Sequence, residues 1–334
     1  MAEFSRKSAQ TIRIIVQWSF LIWVVGIGLR FGLFIHSLES GAGAPLVSRP
    51  PGVEGFLPIG SLVSLKYWLI SGSIHPVHPA ALVIFLSILL MSLLAKKSFC
   101  SWLCPVGTLS EGAHKLGKLL FRRNFQIWYG LDVFLRGIKY LLLLIFIKFI
   151  LIDMPAEALG GFLDAPYWAA SDIKMLHFFT RMSVTTLVVL TILTLLSLLF
   201  KNFWCRYLCP YGALLGLASF VSPFKIRRDA TGCTGCQRCT TACPSGIVVH
   251  SCTAVSSPEC TGCLTCTASC PEKNVLAMQP VFWKRPLAVW IYPAVVVLIF
   301  MAGVGVGMVN GSWYTSLTYD DYQRLLALVP YLSH

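Results

Sequence analysis

The chain has 334 residues, of which 56% are hydrophobic and only 12% are charged, and its mean hydropathy is +0.72. This composition excludes an ordinary soluble protein, and several apolar runs are long enough to cross a hydrocarbon core of about 30 Å. The net charge of +13 is also compatible with nucleic-acid binding. The positions of the charged residues along the chain decide whether nucleic-acid binding or membrane topology explains the net charge.

We predict five membrane-spanning helices in a bacterial cytoplasmic membrane, with the N-terminus in the cytoplasm. The predicted spans are residues 12–35, 80–94, 137–152, 184–200 and 287–309. In this topology the cytoplasmic segments carry 20 Lys and Arg against 6 Asp and Glu, whereas the outer segments carry 7 against 8. This asymmetry is typical of the positive-inside rule, so the net charge does not require a nucleic-acid partner.

The outer segments carry two shorter predicted elements. The apolar segment 62–70 is too short to span the membrane and is expected to lie in the interface. Residues 319–329 of the outer tail are expected to form a short amphipathic helix. The first span, residues 12–35, is longer than the apolar core of about 7–15 residues in a signal peptide, so we expect an uncleaved anchor.

Two cysteine runs between the last two spans carry the chemistry. Residues 233–244 read CTGCQRCTTACP and residues 260–271 read CTGCLTCTASCP. Each is a C-x2-C-x2-C-x3-C-P run, which holds [4Fe–4S] clusters in two-cluster ferredoxins, where the fourth cysteine ligates the other cluster. The predicted ligand sets are Cys233, Cys236, Cys239 and Cys270 for the first cluster, and Cys260, Cys263, Cys266 and Cys243 for the second.

Structural zinc and disulfides are the alternative interpretations of these runs. A zinc site needs one set of four ligands and has no use for two interleaved sets. The run spacings favour metal thiolates in a reducing compartment over a secreted disulfide framework. Twelve of the thirteen cysteines belong to motifs, and Cys252 is expected to be a free thiol.

The membrane region contains an internal repeat. Residues 94–107 align without gaps to residues 199–212, at an offset of 105 residues, and each copy ends in C-x3-C-P-x-G. Parallel repeats are related by an axis along the membrane normal, which would bring the two motifs face to face at the cytoplasmic surface. Pro105 and Pro210 place Cys104 and Cys209 at helix N-caps, where we expect the helix dipole to lower the thiol pKa.

The repeated motifs form a second candidate metal site. A third iron–sulfur cluster is one interpretation, and a redox-active dithiol site, a structural zinc site and buried apolar cysteines are the others. The four candidate residues are Cys100, Cys104, Cys205 and Cys209.

The paired C-x3-C-P motifs on membrane hairpins, followed by a double ferredoxin run, resemble the membrane polyferredoxin family. This family includes NapH, the C-terminal half of NosR and the YccM type, and the resemblance is to the YccM type in particular. It runs through residues 49–58, 97–110, 204–212 and 222–228 and covers most of the chain from about residue 45 to 280. Unlike in NosR, we expect no flavin-bearing periplasmic domain.

The resemblance implies an electron carrier in the cytoplasmic membrane, a subunit of an oxidoreductase system rather than a stand-alone enzyme. It would pass electrons between a quinone pool or a soluble donor and a partner redox enzyme. The alternatives are an assembly or maturation factor that reduces a metal centre or a disulfide of a partner, and a redox-sensing membrane regulator.

The predicted fold is an α-helical polytopic membrane protein with an inserted ferredoxin-like α+β domain that holds two [4Fe–4S] clusters. We divide the chain into a first membrane hairpin (1–110), a second hairpin (111–224), a cytoplasmic ferredoxin domain (225–280) and a C-terminal span with its outer tail (281–334).

Histidines near the outer face are candidates for haem or quinone contacts. A haem needs two imidazoles that face each other from different spans, and the prolines beside His75 and His78 argue against helical spacing. We therefore interpret His75 and His78 as interfacial or quinone-contacting residues. Inside the third predicted span, Lys148 is interpreted as snorkelling toward the interface near Asp153.

Three glycines of the last predicted span form a further pattern. Gly303, Gly305 and Gly307 alternate along residues 287–309. We predict that they form a helix-packing stripe.

Overall fold

A computed structural model of the protein describes residues 2–40, 47–122, 125, 127–272, 274–282, 288 and 290–332. This part of the chain is mainly helical and contains one small antiparallel sheet. The helices are α1 (Ala2–Glu39), α2 (Pro58–Ser71), α3 (Pro79–Ala95), α4 (Phe99–Trp102), α5 (Pro105–Phe121), α6 (Tyr129–Ile147), α7 (Ala156–Asp164), α8 (Pro166–Ala169), α9 (Ser171–Thr180), α10 (Val184–Leu199), α11 (Pro210–Ala218), α12 (Arg238–Ala242), α13 (Thr265–Ser269), α14 (Ile291–Val309) and α15 (Tyr319–Leu328).

Several helix starts follow from proline, whose fixed φ and missing N–H suit the first turn of a helix. Helices α2, α3, α5, α8 and α11 all begin at a proline. Helix α15 uses a capping box instead, in which Thr318 and Asp321 each accept a hydrogen bond from the other's backbone N–H. The short helix predicted in the tail is therefore present and corresponds to α15.

Two described helices have the length and apolar composition of a membrane span, Ser8–Glu39 and Ile291–Val309. A third is added if α9 and α10, bent by 73° at the break between them, count as one span. Helix α3 is apolar but shorter. A mainly helical protein with candidate membrane spans is thus confirmed, while the number of five spans stays a prediction. Residues 287 and 289 of the last predicted span lie outside the described residues.

The chain divides into two compact units. Unit 1 comprises Met1–Leu21, Ile88–Leu143 and Thr191–Met301, and unit 2 comprises Ile22–Ser87, Leu144–Leu190 and Ala302–His334. The boundary between the units falls within α1, α3, α6, α10 and α14. All thirteen cysteines belong to unit 1.

The sheet of unit 1 closes the cysteine-rich insert. Its strands are β1 (Phe224–Arg228), β2 (Ala254–Val255) and β3 (Leu276–Pro280), in the order β2-β1-β3 and antiparallel. Ile226 pairs with Val255 on one side and with Met278 on the other, and all three side chains are buried. Because β1 precedes the first cysteine run and β3 follows the second, their pairing brings the two ends of the insert together.

In unit 2, two of the three predicted stripe glycines lie in a tight contact between α14 and α3. A Cβ on Gly303 would lie 2.3 Å from Ser87 Oγ, and a Cβ on Gly307 would lie 2.4 Å from Val83 Cγ1. Apart from its chain neighbours and its own helix, no atom of the described residues lies within 4 Å of the position that a Cβ on Gly305 would occupy. The prediction of a packing stripe is therefore confirmed for Gly303 and Gly307 and wrong for Gly305, which does not share their helix face.

Charged side chains mark the end of α6, which continues as a π-helical turn over Lys148–Asp153. Lys148 Nζ lies 2.6 Å from Asp153 Oδ2, and both side chains are exposed. This pair supports the interpretation of Lys148 as a snorkelling residue. Lys66 Nζ donates to the carbonyl oxygens of Ile150 and Leu151, each at 3.1 Å, and so satisfies orphan acceptors at the helix end.

Candidate iron–sulfur sites

The two cysteine runs follow the same backbone path. Gly235 and Gln237 in the first run have φ of +70° and +57°, and Gly262 and Leu264 in the second run have φ of +61° and +58°. Left-handed residues at alternating positions turn successive backbone N–H groups inward and form an anion-binding concavity. Both runs therefore have the loop conformation that an anionic cluster requires.

The remaining cysteines of each run are positioned by a short helix. Cys239 lies in α12 and Cys266 in α13, and both are buried. Cys243 and Cys270 follow these helices with ψ of 120° and 124°. Each precedes a proline, which forces an extended conformation on the residue before it. The fourth cysteine of each run therefore lies in an extended segment after the short helix.

One cavity of unit 1 is lined by cysteines from both runs. Cys260, Cys263 and Cys266 come from the second run and Cys243 from the first. This is the set predicted for the second cluster. The other side chains of the cavity wall are largely apolar, among them Ile226, Ile247, Val249, Val255 and Leu264. Four soft thiol donors around one apolar cavity fit an iron–sulfur cluster.

The set predicted for the first cluster differs in exposure. Cys236 is exposed, Cys239 is buried, and Cys233 and Cys270 are half-buried. At Cys233 the backbone N–H of Gly235 and the side chain of Arg228 lower the thiol pKa below its usual value. Burial instead raises the pKa of Cys260 to about 11, although the backbone N–H of Gly262 acts in the opposite direction. The first site therefore lies closer to solvent than the second.

Among the described residues, no group of three or more His, Cys, Asp or Glu is placed to hold a single metal ion. A single ion needs all its donors within bonding distance of one atom. In a cubane each cysteine binds a different iron, so the four cysteine sulfur atoms lie further apart than the ligands of a single ion. A cluster site and a single-ion site therefore require different geometries.

The cysteines of the repeated C-x3-C-P motifs occupy equivalent positions in the two halves. Cys100 lies in α4, and Cys205 lies in a π-helical turn over Trp204–Leu208. Cys104 and Cys209 are the N-cap residues of α5 and α11, as predicted. Cys209 Sγ accepts a hydrogen bond from the Gly212 N–H at 3.3 Å.

The prediction that these helix starts lower the thiol pKa is wrong for Cys104. Burial raises the pKa of Cys104 to about 12, Cys100 raises it further, and the N–H groups of Gly107 and Val106 only partly oppose this. Burial likewise raises the pKa of Cys100 to about 11. The desolvation cost of a buried thiolate exceeds the stabilisation by a helix terminus. These thiols therefore release their protons only to a strong competitor such as a metal.

The four C-x3-C-P thiols lie close together in unit 1. Burial raises the pKa of Cys205 well above its usual value, and Cys104, Cys209 and Cys100 raise it further. Thiolates have this effect on one another only at short range. The structure thus brings together the four cysteines that the sequence repeat related.

The C-x3-C-P region also contacts the second cysteine run. Ser101 Oγ donates to the Thr261 carbonyl at 2.7 Å, and Trp102 Nε1 donates to the Gly262 carbonyl at 3.2 Å. A second cavity of unit 1 is lined by Cys100, Cys205 and Cys263. Two of the three candidate sites are therefore neighbours.

Sequence reasoning missed a buried charge cluster beside this second cavity. Lys139 Nζ lies 2.6 Å from Glu259 Oε2, and Lys97 Nζ lies 3.9 Å from the same oxygen. Tyr140 donates to Glu259 Oε1 at 2.7 Å. Lys97 and Lys139 are almost completely buried. The one signal in the sequence is that Glu259 directly precedes Cys260 and Lys97 lies three residues before Cys100.

A second missed network attaches the start of α1 to the site. Arg13 forms two hydrogen bonds with the carboxylate of Glu111, each at 2.7 Å. Gln17 Nε2 donates to the Ser101 carbonyl at 2.9 Å, and Gln10 Nε2 donates to the Cys263 carbonyl at 2.9 Å. These bonds join α1 to both the C-x3-C-P region and the second cysteine run.

Glu111→Gln is expected to lower the free energy of unfolding of unit 1 by about 3 kcal/mol, because it leaves the buried Arg13 without its counter-charge. Burial alone would raise the pKa of Glu111, but Arg13 and then Lys115 outweigh it and lower the pKa to about 2 from 4.5. The carboxylate therefore stabilises the fold fully above about pH 4.5, and this contribution is lost as the pH falls toward 2.

Thermal unfolding of the detergent-solubilised protein, followed by tryptophan fluorescence, measures this effect. Lys115→Gln is the matched control, because Lys115 is 58% exposed and pairs with Glu111 on the surface, where a pair contributes about 1 kcal/mol or less. Equal destabilisation by both substitutions would contradict the prediction.

The two histidines predicted to contact quinone lie in unit 2 in different environments. His78 Nε2 lies 3.0 Å from the Trp168 carbonyl, and its Nδ1 lies 3.3 Å from an Arg49 nitrogen and 3.4 Å from Glu54 Oε1. Both of its ring nitrogens are therefore occupied within the protein.

His75 differs from His78 in the partners of its ring nitrogens. His75 Nε2 lies 3.2 Å from Asp164 Oδ1, and Tyr67 packs against the ring edge-on. Within the part of the chain that the structure describes, its Nδ1 has no hydrogen-bond partner. Of the two predicted contacts, His75 is therefore the one with a buried, unpartnered ring nitrogen among the described residues.

Two family models match the chain. A 4Fe-4S binding domain matches residues 77–127 and again residues 182–229, and a 4Fe-4S dicluster domain matches residues 225–271. The two matches to the first model begin 105 residues apart, which is the offset of the sequence repeat. No solved structure matches the chain.

The chain is 42% identical over 333 residues to YccM of Escherichia coli (strain K12), whose name describes a candidate electron transport protein. That match covers 98% of this chain and 93% of YccM. The ferredoxin-type protein NapH of Haemophilus influenzae is 28% identical over 166 residues, or 49% of this chain and 53% of NapH. The regulatory protein NosR of Pseudomonas aeruginosa is 30% identical over 148 residues, or 43% of this chain and 20% of NosR.

These comparisons agree with the motifs and their geometry. YccM matches nearly the whole chain, NapH and NosR match parts of it, and iron–sulfur domains match both halves of the repeat. The chain therefore belongs to the membrane polyferredoxin family of iron–sulfur electron transport proteins.

Proposed function

We propose that this protein is a membrane-bound electron carrier with two [4Fe–4S] clusters in its ferredoxin domain and a third iron–sulfur centre at the C-x3-C-P motifs. The observation that carries the proposal is the cavity formed by Cys260, Cys263, Cys266 and, from the other run, Cys243. When bound, an iron–sulfur cluster supplies one-electron chemistry. The chain positions each cluster and sets its potential through burial, charge and hydrogen bonds to sulfur.

The ligand sets for the two ferredoxin clusters are the interleaved quartets. For the second cluster, the cavity supports this assignment directly. For the first, the support is the matching backbone of the two loops, including the left-handed residues Gly235 and Gln237. The dicluster domain match over residues 225–271 covers all eight cysteines.

A third centre is supported by two independent observations. A 4Fe-4S binding domain matches both halves of the repeat, and each match contains one C-x3-C-P motif. The four half-buried thiols also lie together beside the positive charge of Lys97, which favours an anionic group over a pair of neutral thiols.

We further propose that the ferredoxin domain faces the cytoplasm and that five helices cross the membrane. Unit 1 contains 20 Lys and Arg against 6 Asp and Glu, whereas unit 2 contains 7 against 8. The segments predicted to be cytoplasmic and outer carry the same numbers of charged residues. An excess of Lys and Arg is typical of cytoplasmic segments, so the charge of unit 1, which contains the ferredoxin domain, supports the proposed orientation.

The proposed donor is a quinone pool or a cytoplasmic reductant, and the proposed acceptor is a partner redox enzyme. A quinol releases protons as it is oxidised, so a quinol site needs a proton acceptor. His75 is the candidate, because its Nδ1 has no hydrogen-bond partner among the described residues and its Nε2 lies 3.2 Å from the exposed carboxylate of Asp164.

The test uses membranes that contain the full chain, kept anaerobic. The iron–sulfur signals are expected to be reduced reversibly by a quinol or by a soluble reductant. If quinol is the donor, His75→Phe slows reduction by quinol and leaves reduction by dithionite unchanged, while His177→Phe, in the same unit, changes neither. Signals that no donor reduces, together with loss of a cofactor from another enzyme in a deletion strain that keeps its respiratory flux, would instead favour an assembly factor.

A further inference from the structure

Two consecutive lysines, Lys96 and Lys97, are buried in the loop between α3 and α4. Their exposed fractions are 0% and 3%. Lys96 has φ of +61°, which turns the backbone sharply between the two residues, and its N–H donates to Ser222 Oγ at 2.9 Å. Buried lysines are rare unless they are paired, so each of these two needs an explanation.

Lys96 has no hydrogen-bond partner for its ammonium group among the described residues. A buried, unpaired ammonium is strongly unfavourable, so its position indicates an anionic partner that is not part of the polypeptide. Burial lowers the pKa of Lys96, and the nearby Cys260 acts in the opposite direction.

The backbone around Lys96 is attached to the second cysteine run. The Ala95 carbonyl accepts a hydrogen bond from the Tyr292 hydroxyl at 2.7 Å. The same hydroxyl lies 2.1 Å from the position that a Cβ on Gly262 would occupy. One tyrosine hydroxyl thus touches both the residue before Lys96 and the turn between Cys260 and Cys263. Lys96 is therefore placed beside the second ferredoxin cluster site.

Lys97 is placed beside the C-x3-C-P thiols. Its Nζ lies 3.5 Å from the position that a Cβ on Gly212 would occupy, and the Gly212 N–H donates to Cys209 Sγ. Lys97 also lines the cavity that contains Cys100 and Cys205. Its acidic neighbour Glu259, at 3.9 Å, is shared with the closer Lys139. Because the single carboxylate of Glu259 is shared by two ammonium groups, the site keeps one excess positive charge.

We propose that Lys96 and Lys97 are the counter-charges of two different iron–sulfur centres. Lys96 serves the centre held by Cys260, Cys263, Cys266 and Cys243, and Lys97 serves the centre at the C-x3-C-P motifs; this rests on the proposed function. A centre with four thiolates is a net anion and gains one further negative charge when it accepts an electron. A buried positive charge stabilises that form and raises the potential of the centre beside it.

The test compares Lys96→Met with Lys97→Met in the full-length protein, purified anaerobically, by EPR-monitored redox titration. Lys96→Met is expected to lower the midpoint potential of one ferredoxin centre and Lys97→Met that of the C-x3-C-P centre. In each case we expect at least about a tenfold fall in the ratio of reduced to oxidised centre at a fixed potential, or about 59 mV for a one-electron couple. Each variant is the control for the other.

Further variants make the assignment and its sign checkable. The signal that disappears in Cys100→Ser with Cys205→Ser identifies the C-x3-C-P centre. Glu259→Gln removes a negative charge, so it is expected to raise the midpoint potential that Lys97→Met lowers, which a purely structural role would not do. If a methionine variant does not accumulate, Lys96→Gln tests Lys96 and Lys97→Gln tests Lys97.

The outcomes separate this inference from the proposed function. A wild-type protein without iron would overturn the proposed function itself. A protein with its full iron content, whose potentials are unchanged in both lysine variants or shift equally at both centres, would overturn only the assignment of the lysines. Shifts confined to one centre in each variant, as assigned, would establish it.

Discussion

Replacing Gly262 by alanine is expected to destabilise unit 1 and to remove the second ferredoxin cluster. Gly262 has φ of +61°, which costs an L-residue about 1–2 kcal/mol. A Cβ at this position would also lie 2.1 Å from the Tyr292 hydroxyl. Tyr292 has no room to move away, because it is buried and its hydroxyl donates to the Ala95 carbonyl at 2.7 Å. Such overpacking adds about 1–3 kcal/mol.

Gly235→Ala is the matched control for this substitution. Gly235 occupies the same position in the first run and has φ of +70°, but apart from its chain neighbours no atom of the described residues lies within 4 Å of the position that a Cβ would occupy there. It should therefore show only the backbone cost of about 1–2 kcal/mol. Removing the hydroxyl by Tyr292→Phe should restore part of the stability lost in Gly262→Ala.

Thermal unfolding and iron content, measured on the same anaerobic preparations, test this comparison. We expect Gly262→Ala to lose the iron of one cluster and Gly235→Ala to keep its iron. Equal effects of the two alanine substitutions, or the absence of any rescue by Tyr292→Phe, would contradict the packing of Tyr292 against the second run.

Cys100→Ser combined with Cys205→Ser is expected to lower the iron content from about twelve to about eight atoms per chain. Serine is a poorer ligand than a thiolate for iron, and the two substitutions remove one ligand from each half of the repeat. The eight ferredoxin cysteines are unchanged, so the remaining iron should keep the signals of two clusters.

Cys252→Ser is the control for this variant. Cys252 lies outside the three cysteine sets, and its thiol donates to the Val248 carbonyl at 3.4 Å. Its replacement should leave iron and acid-labile sulfide unchanged. Unchanged iron in the double variant as well would remove the third centre from the account.

Much of the candidate site could be predicted from sequence because it depends on local rules. The spacing of each cysteine run, with glycine two residues after the first cysteine and proline after the fourth, determines the backbone of a loop. The structure has left-handed Gly235 and Gly262 and extended Cys243 and Cys270 at the positions these rules indicate. Pro105 likewise places Cys104 at an N-cap.

The features that were missed depend on contacts between distant parts of the chain. Glu259 meets Lys139 across 120 residues, and Arg13 meets Glu111 across 98 residues. In the sequence these lysines and arginines are indistinguishable from the cytoplasmic charges of the positive-inside rule. The wrong pKa direction for Cys104 has the same origin, since burial is a property of the assembled unit and a helix N-cap is a local one.

Iron and acid-labile sulfide in the anaerobically purified wild-type chain, together with redox-titrated EPR, test the central claim most directly. The account predicts a coloured protein with about twelve irons, or about eight if the C-x3-C-P thiols bind no cluster, and titrating signals from each centre. A colourless, iron-free protein with no such signals would contradict it.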